Sequence, residues 1–446
     1  MRRHLLVITS LLLAPSACLF ASSSTSAANW QVNRVNHLVL TPPGGVTVDQ
    51  MSGVTYLGLV GGNHRFVAAE QSLGQLLGFD VAFNASGGIT AISDIATIPI
   101  ASTLDFEGIA YTNAARNSVF LSDENNPGVR EFNLSTGAEL QAVAIPPVFA
   151  NRQPNRGFES LARRPDGTVM WTANEQALTV DGSASTPSAG TDVRILKLDV
   201  AGNSVAAGQQ YAYRVEPIHG TSGTGTPQSG LSDLVSLPDG TVLSLERSVA
   251  FLASPSMYLS RIYEIDFDGA TDISMGATAG GLIGQSFTRV GKQLLWSGPA
   301  DGATGQNLEG LTLGPRLANG QWVLVGVVDD ASNDLLSNNT LVAFTATAIP
   351  SADFDDDGDT DGADFLHWQR GLGQTVGATH SDGDADRDGD VDADDLTQWK
   401  ADFAAPGEAA AATVPEPSAL TLCGLAALAM RLRRKEKAGE GNRTLA

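Results

Sequence analysis

The sequence predicts an all-β chain, a six- or seven-bladed β-propeller, followed by a small α-helical module with two acidic loops. Three observations predict it. Charged residues are 17% of the 446 while Gly reaches 48, and no convincing amphipathic helix precedes residue 350, so the chain reads as short strands joined by tight turns. A weak repeat recurs through the body at a spacing that suits four-stranded blades. Near the C-terminus one loop pattern occurs twice, each time followed by a helical apolar stripe.

Residues 1–28 have the make-up of a secretory signal peptide. Arg2 and Arg3 start it, Leu5 to Leu13 form a short apolar stretch, and Ser26-Ala27-Ala28 offers a small-residue cleavage site. Cys18 and Cys423 are the two cysteines, and both fall outside the body at 29–349. That body must therefore be held by core burial and bound ions, not by a disulfide.

Within the body, Pro165-Asp166-Gly167, Pro238-Asp239-Gly240 and Asn319-Gly320 mark hairpins, because Gly after Asp or Asn accepts the positive φ of a tight turn. The repeat copies run from Ser52-Gly53-Val54 to Glu70, Glu107-Gly108-Ile109 to Glu124, and Glu159-Ser160-Leu161 to Glu175. Two more run from Ser232-Asp233-Leu234 to Glu246 and from Glu309-Gly310-Leu311 to Asp330. A sixth blade is expected from strands around Arg194–Leu198 and Tyr211–Val215, or from closure between the two ends of the body. In a blade the start of the innermost strand and the end of its antiparallel neighbour share one face of the disc. Glu107, Glu124, Glu159, Glu175, Asp233, Glu246, Glu309 and Asp330 are thus expected around one channel mouth. So many close carboxylates require protons, arginines or metal ions; Arg130, Arg156 and Arg247 are the candidate internal partners.

The stretches Leu104-Asp105-Phe106-Glu107-Gly108-Ile109-Ala110 and Leu121-Ser122-Asp123-Glu124 carry a resemblance. So do Asn155-Arg156-Gly157-Phe158-Glu159-Ser160-Leu161-Ala162, Leu231-Ser232-Asp233-Leu234 with Leu245-Glu246-Arg247, and Asn307-Leu308-Glu309-Gly310-Leu311 with Asp329-Asp330. The body resembles the phytase-like family, whose domain is described as having esterase-like activity. The resemblance implies a β-propeller and a phosphate-ester or ester hydrolase. The chain departs from the family pattern at Val328-Asp329-Asp330-Ala331-Ser332-Asn333, where an aspartate-asparagine pair is spread apart, and at Asn174, which stands before Glu175 in place of an apolar residue.

From chemistry, an acidic mouth repels phosphate unless it first holds a cation such as Ca2+. Glu107, Glu159, Glu309 and Asp330 are the expected metal ligands or general base, with Arg156 and Arg247 gripping a small phosphorylated or ester substrate. The body has no G-x-S-x-G elbow, which argues against a serine esterase, and no H-E-x-x-H zinc motif. A net charge of −22 argues against a nucleic-acid partner. Two other functions remain open: a non-catalytic propeller binding a surface ligand or polymer, and a lactone or other ester hydrolase.

Residues 350–404 hold 16 Asp and no Glu. The first loop places Asp353, Asp355, Asp357, Gly358, Asp359, Asp361 and Asp364 at positions 1, 3, 5, 6, 7, 9 and 12 of an EF-hand-type calcium loop. The second places Asp384, Asp386, Asp388, Gly389, Asp390, Asp392 and Asp395 likewise. Asp359 and Asp390, at position 7, would ligate through the backbone. Phe365, Trp368 and Leu372, and 31 residues on Leu396, Trp399 and Phe403, are spaced as one helix face. With Asp at position 12 and a helix only after each loop, the module resembles a dockerin. That resemblance implies a cohesin-like partner; a calcium-stabilised spacer is the other reading.

Residues 405–446 form an Ala/Pro linker, then Val414-Pro415-Glu416-Pro417, an apolar run from Ala419 to Met430 and the basic Arg431, Arg433, Arg434 and Lys435. This resembles a PEP-CTERM sorting signal. It implies export, transient membrane association through the tail, and display at the cell surface or in the extracellular matrix.

Overall fold

The computed structural model describes residues 28–48, 50–71, 74–220, 227–250, 257–303, 305–329 and 338–404. The expected signal peptide (through residue 27), the linker and sorting signal, and Asp330 lie outside them. Among the described residues, no helix is long and apolar enough to cross a membrane.

The strands form five antiparallel four-stranded sheets. After β1 (Trp30–Val39), the first blade holds β2 (Met51–Val60), β3 (Asn63–Glu70), β4 (Gln75–Phe83) and β5 (Ile89–Pro99). The second holds β6 (Phe106–Tyr111), β7 (Ser118–Asp123), β8 (Gly128–Asn133) and β9 (Glu139–Val143). The third holds β10 (Ala162–Arg163), β11 (Val169–Ala173), β12 (Thr191–Ala201) and β13 (Ser204–Val215). The fourth holds β14 (Gln228–Ser236), β15 (Val242–Val249), β16 (Tyr258–Asp266) and β17 (Gly291–Gly298). In the fifth, β18 (Asn307–Arg316), β19 (Trp322–Asp329) and β20 (Thr340–Ala348) are completed by β1, paired to β20 from Trp30↔Ala348 to Val39↔Thr340.

The propeller is therefore five-bladed, not six- or seven-bladed. The strands around Arg194–Leu198 and Tyr211–Val215 are β12 and β13, the outer half of the third blade. Closure between the chain ends does occur, but it finishes the fifth blade, which has only three strands of its own.

Five blades leave a narrow axis, and this explains the small residue after each innermost-strand acid. A Cβ on Gly108 would lie 2.4 Å from the Leu161 backbone nitrogen, and one on Gly310 2.3 Å from the Ser52 carbonyl oxygen. Asp233 fills this place in the fourth blade. Its Oδ2 accepts the Leu311 N–H at 2.7 Å and its Oδ1 the Leu234 N–H at 2.8 Å. It also accepts the N–H of Leu161. Asp233 thus ties three blades together inside the axis and is not one of the mouth acids.

Each blade interface has its own apolar core. Leu243, Leu245 and Ile262 pack on Leu308, Leu324 and Phe344, and Phe66 and Phe79 on Val323 and Leu341. The other three interfaces centre on Phe106 with Phe132, Phe149 with Phe158, and Ile195 with Tyr213. Each fully buried side chain of this size contributes roughly 1.5–3 kcal/mol.

Beyond β20, α1 (Gly362–Gly371) and α2 (Ala393–Ala404) pack around Phe354, Trp368 and Val391. The Trp368 indole donates to the Asp392 carbonyl (2.7 Å) and the Trp399 indole to the Asp361 carbonyl (3.1 Å). Each loop is thereby pinned by the helix that follows the other.

Candidate active site

The innermost strands break register at their start. Ser52, Glu107, Ser232 and Glu309 occupy these irregularities in four blades. A bulge re-aims a side chain that strict alternation would send elsewhere. In the third blade Glu159 stands just ahead of β10, its N–H bonded to the Ala173 carbonyl at 3.1 Å. Neighbouring strand ends add Glu124 after β7, Glu175 after β11 and Asp329 at the end of β19.

These acids meet at one mouth of the channel. Carboxylate oxygens of Asp105, Glu107 and Glu124 lie within 4.8 Å of one another, as do those of Glu124, Glu159 and Glu175. Arg247 spans the other side: one amino group reaches Glu309 (2.6 Å) and Asn307 (2.8 Å), the other Glu175 (2.7 Å). Arg156 meets Glu175 at 3.2 Å and also bonds Gln228. Gln71 donates to both Glu107 oxygens at 3.0 and 3.1 Å. Asn307 donates to Glu309 (2.9 Å) and to Asp329 (3.0 Å).

The mouth is electrostatically lopsided. Glu175 and Glu309 have arginine partners, whereas among the described residues no cation lies within ion-pair distance of Glu107, Glu124 or Glu159. Burial, then the charges of Glu309, Glu124 and Asp105, push Glu107 well above the usual carboxylate range. Burial with Glu107 and Glu175 does the same to Glu159. Glu124 is pushed up to about 7 by burial, against a hydrogen bond with Glu159. Glu309 is pushed up to about 8 by burial, against the pull of Arg247. Burial alone would lower Arg247, but Glu309, Glu175 and Glu159 more than reverse this and hold it above its ordinary value.

The phytase-like family model, described as esterase-like activity of phytase, matches residues 47–331, a stretch that contains the described mouth acids. The chain belongs to the phytase-like family. No curated protein matches it. Among solved structures, a hypothetical protein from Leishmania major is 9% identical, over 70% of this chain and 90% of that one, at a TM-score of 0.35. A luciferin-regenerating enzyme is 10% identical, over 68% and 92%, at 0.31. A Kuenenia stuttgartiensis hydrazine synthase is 10% identical, over 65% and 81%, at 0.28. Likenesses this distant carry no argument about function.

Of the residues singled out in this phytase-like chain, Glu107, Glu159, Glu309, Arg156 and Arg247 meet at the mouth. Glu246 does not. It lies between the third and fourth blades, bonded to the Tyr213 hydroxyl (2.7 Å) and the Lys292 ammonium (2.6 Å), because strand alternation turns it away as it turns Arg247 in. Asp105, Gln71 and Asn307 were not anticipated. A signal for two of them was present: Asp105 and Asn307 each stand two residues before a glutamate, the spacing that shares a strand face. Gln71 follows Glu70 as Glu124 follows Asp123, so it takes the first blade's place in the ring.

The cluster suits a hard cation. Oxygens of Glu124 and Glu309 are buried without a hydrogen-bond partner, and a cation is what the Glu107–Glu124–Glu159 side lacks. The two C-terminal loops suit one as well, and they match bond for bond. Asp353 accepts the N–H groups of Asp357 and Gly358 at 3.1 and 3.0 Å; Asp384 accepts those of Asp388 and Gly389 at 3.1 and 2.9 Å. Asp364 accepts from Phe354 and Asp361, and Asp395 from Ala385 and Asp392, at 2.6 to 2.7 Å. Gly358 and Gly389 turn at φ +98° and +92°. Carboxylates of Asp353, Asp355 and Asp364 lie within 4.8 Å of one another, and so do those of Asp384, Asp386 and Asp395.

Proposed function

We propose that the chain is an exported, calcium-dependent ester hydrolase whose leading substrate class is phosphoesters. The observation that carries the reading is the uncompensated half of the mouth: three glutamates without a cation, Glu107 and Glu124 buried and Glu159 half-buried, beside a half that holds two arginines. Carboxylate ligands next to guanidinium groups are what a phosphate ester bridged to a divalent ion requires. The absence of a serine elbow from the sequence favours an activated water over a covalent serine.

Glu107, Glu124 and Asp105 would hold the ion, which when bound polarises a phosphoryl oxygen and lowers the pKa of its water. Gln71 fixes Glu107 by holding both its oxygens. Glu159, hydrogen-bonded to Glu124 and not itself one of the residues assigned to the ion, is the group we assign as general base, placed to take a proton from water and return it to the leaving oxygen. Arg156, whose side chain is about a quarter exposed, is the substrate-facing cation. Arg247 has both amino groups engaged, so its role is to keep Glu175 and Glu309 in place.

The same reading has the paired loops bind calcium as a dockerin-like module for a cohesin-like partner. It has the N-terminal signal and the PEP-CTERM-type tail direct the chain to the cell surface or matrix, with transient membrane retention. The test is hydrolysis of a phosphomonoester and carboxylic-ester panel with calcium or excess chelator. Activity should require calcium, survive Asp353→Ala with Asp384→Ala, and vanish in Glu159→Gln with circular dichroism unchanged. Full activity in chelator, or none on any ester with any divalent ion, overturns the proposal.

A further inference from the structure

We propose that the paired-loop module is an internal cap on the channel's second mouth, keyed there through its second loop. The innermost strands that begin at the acidic mouth carry Tyr56, Tyr111, Arg163, Ser236 and Gly314 in their far halves, and these line a cavity of about 410 Å3. Residues 375–377 of the module, with Asp388 and Gly389, line the same cavity from the module's side. The contacts are specific and polar. Arg316 of β18 reaches Asp388 at 2.6 Å. Arg387 donates to Asn29 at 2.7 Å and stands 3.5 Å from Asp239. Arg164 donates to the Gly377 carbonyl at 2.6 Å. Gly389 lies against Pro238, where an added Cβ would sit 3.0 Å from the proline ring.

The internal repeat supplies an independent argument. The two loops match in sequence position and hydrogen bonding, so a difference between them marks a difference in task. At position 4 the first loop has Asp356 and the second Arg387, on the same left-handed backbone, φ 56° and 59°. The carboxylate of Asp356 is 84% exposed, whereas Arg387 is 5% exposed against the propeller. One charge reversal therefore separates the solvent-facing loop from the docked one, and its partner Asp239 supplies the complementary sign. The connection helps: β20 ends at Ala348 and the first loop begins at Asp353, a tether too short to let the module wander far.

Two consequences follow. The second loop's outer face is occupied by the chain's own propeller, so an external partner can engage only the first-loop side unless it displaces the cap. And ligand reaches the mouth carboxylates from the mouth they line, not through the channel.

Amide hydrogen exchange of the full chain in saturating calcium tests this, comparing wild type with Arg387→Asp combined with Arg316→Glu. Exchange at 164–167, 236–240, 375–377 and 388–389 should rise by about tenfold or more, while the first loop and blade cores stay unchanged. Unchanged exchange at those segments overturns the cap. Should the variant not fold, small-angle scattering of the wild type decides alone: a compact particle supports the cap, and a swinging, extended module overturns it.

Discussion

The two mouths of the channel are made from the two ends of the same five strands, yet their chemistry is opposite. At one end bulges turn Glu107 and Glu309 inward and crowd carboxylates beyond what two arginines neutralise. At the other end β2, β6 and β18 present Tyr56, Tyr111 and Leu313, which share a cavity with residues of the module. Register also breaks there, at Tyr56/Gly58 in β2 and Leu313/Arg316 in β18, so the difference teaches that what the strands present at each end, carboxylates at one and aromatic and aliphatic side chains at the other, separates the reactive end from the packing surface. Breaking either feature should affect its own mouth and spare the other.

The largest expected effect removes both mouths at once. Gly108→Val places atoms where the Leu161 backbone already stands, and neither strand can retreat without opening the axis. The loss should exceed about 4–5 kcal/mol, the range of severe core damage. Soluble yield and thermal melting measure it; a melting temperature within a few degrees of wild type would show that the blades are spaced more widely than the Gly108–Leu161 approach allows.

Next is Arg247→Ala, which leaves Glu175 and Glu309 buried without their shared cation. Breaking a buried pair from one side costs about 3–5 kcal/mol. The cost should shrink at pH 5, where Glu309 is protonated in the folded chain anyway. Denaturant melts at pH 5 and pH 8 separate the two; an equal cost at both would mean that Arg247 contributes packing alone.

A smaller effect comes from pH itself in chelator. Glu124 titrates near 7 and Glu309 near 8 in the folded chain, against about 4.3 when unfolded. Over that interval the folded chain keeps protons that the unfolded chain has released, so stability falls as pH rises from about 4 to 8. Glu124 alone accounts for about 3 kcal/mol. Calcium should flatten the slope by taking the protons' place. A melting temperature that rises over the same interval in chelator would contradict the burial of this cluster.

Much of this was legible in the sequence. Glu-Gly before an aliphatic residue is both the bulge and the close approach, so the sequence alone places Glu107 and Glu309 at one mouth. Blade count was not legible, because β12 and β13 are long and occupy the spacing that a further blade would take. Nor was Glu246 against Arg247: adjacent residues on a strand face opposite ways, and only the register with Gly230 and Leu231 says which one looks inward. The capped mouth was invisible for a different reason. Arg387 reads as one cation in an acidic loop, and Asp239 as a turn residue; only the fold brings them together.

The smallest contrast lies within the loops. Asp353 and Asp384 each brace two backbone N–H groups and each belongs to its loop's carboxylate cluster, so Asp353→Ala and Asp384→Ala should each remove one calcium site. Asp359 is at the position that ligates through its backbone carbonyl. Its side chain is fully exposed, and the neighbouring charge of Asp357 raises its carboxyl, so Asp359→Ala removes repulsion and no ligand. Calorimetric titration with calcium should show one site lost in either of the first two variants and both kept in the third. The comparison sharpens further across the cap. Loss of the first site should leave exchange at 236–240 unchanged, whereas Asp384→Ala, in the loop that touches Pro238 and Arg316, should speed it. Three equivalent variants would mean that the loop register is wrong, and with it the assignment of which loop faces the propeller.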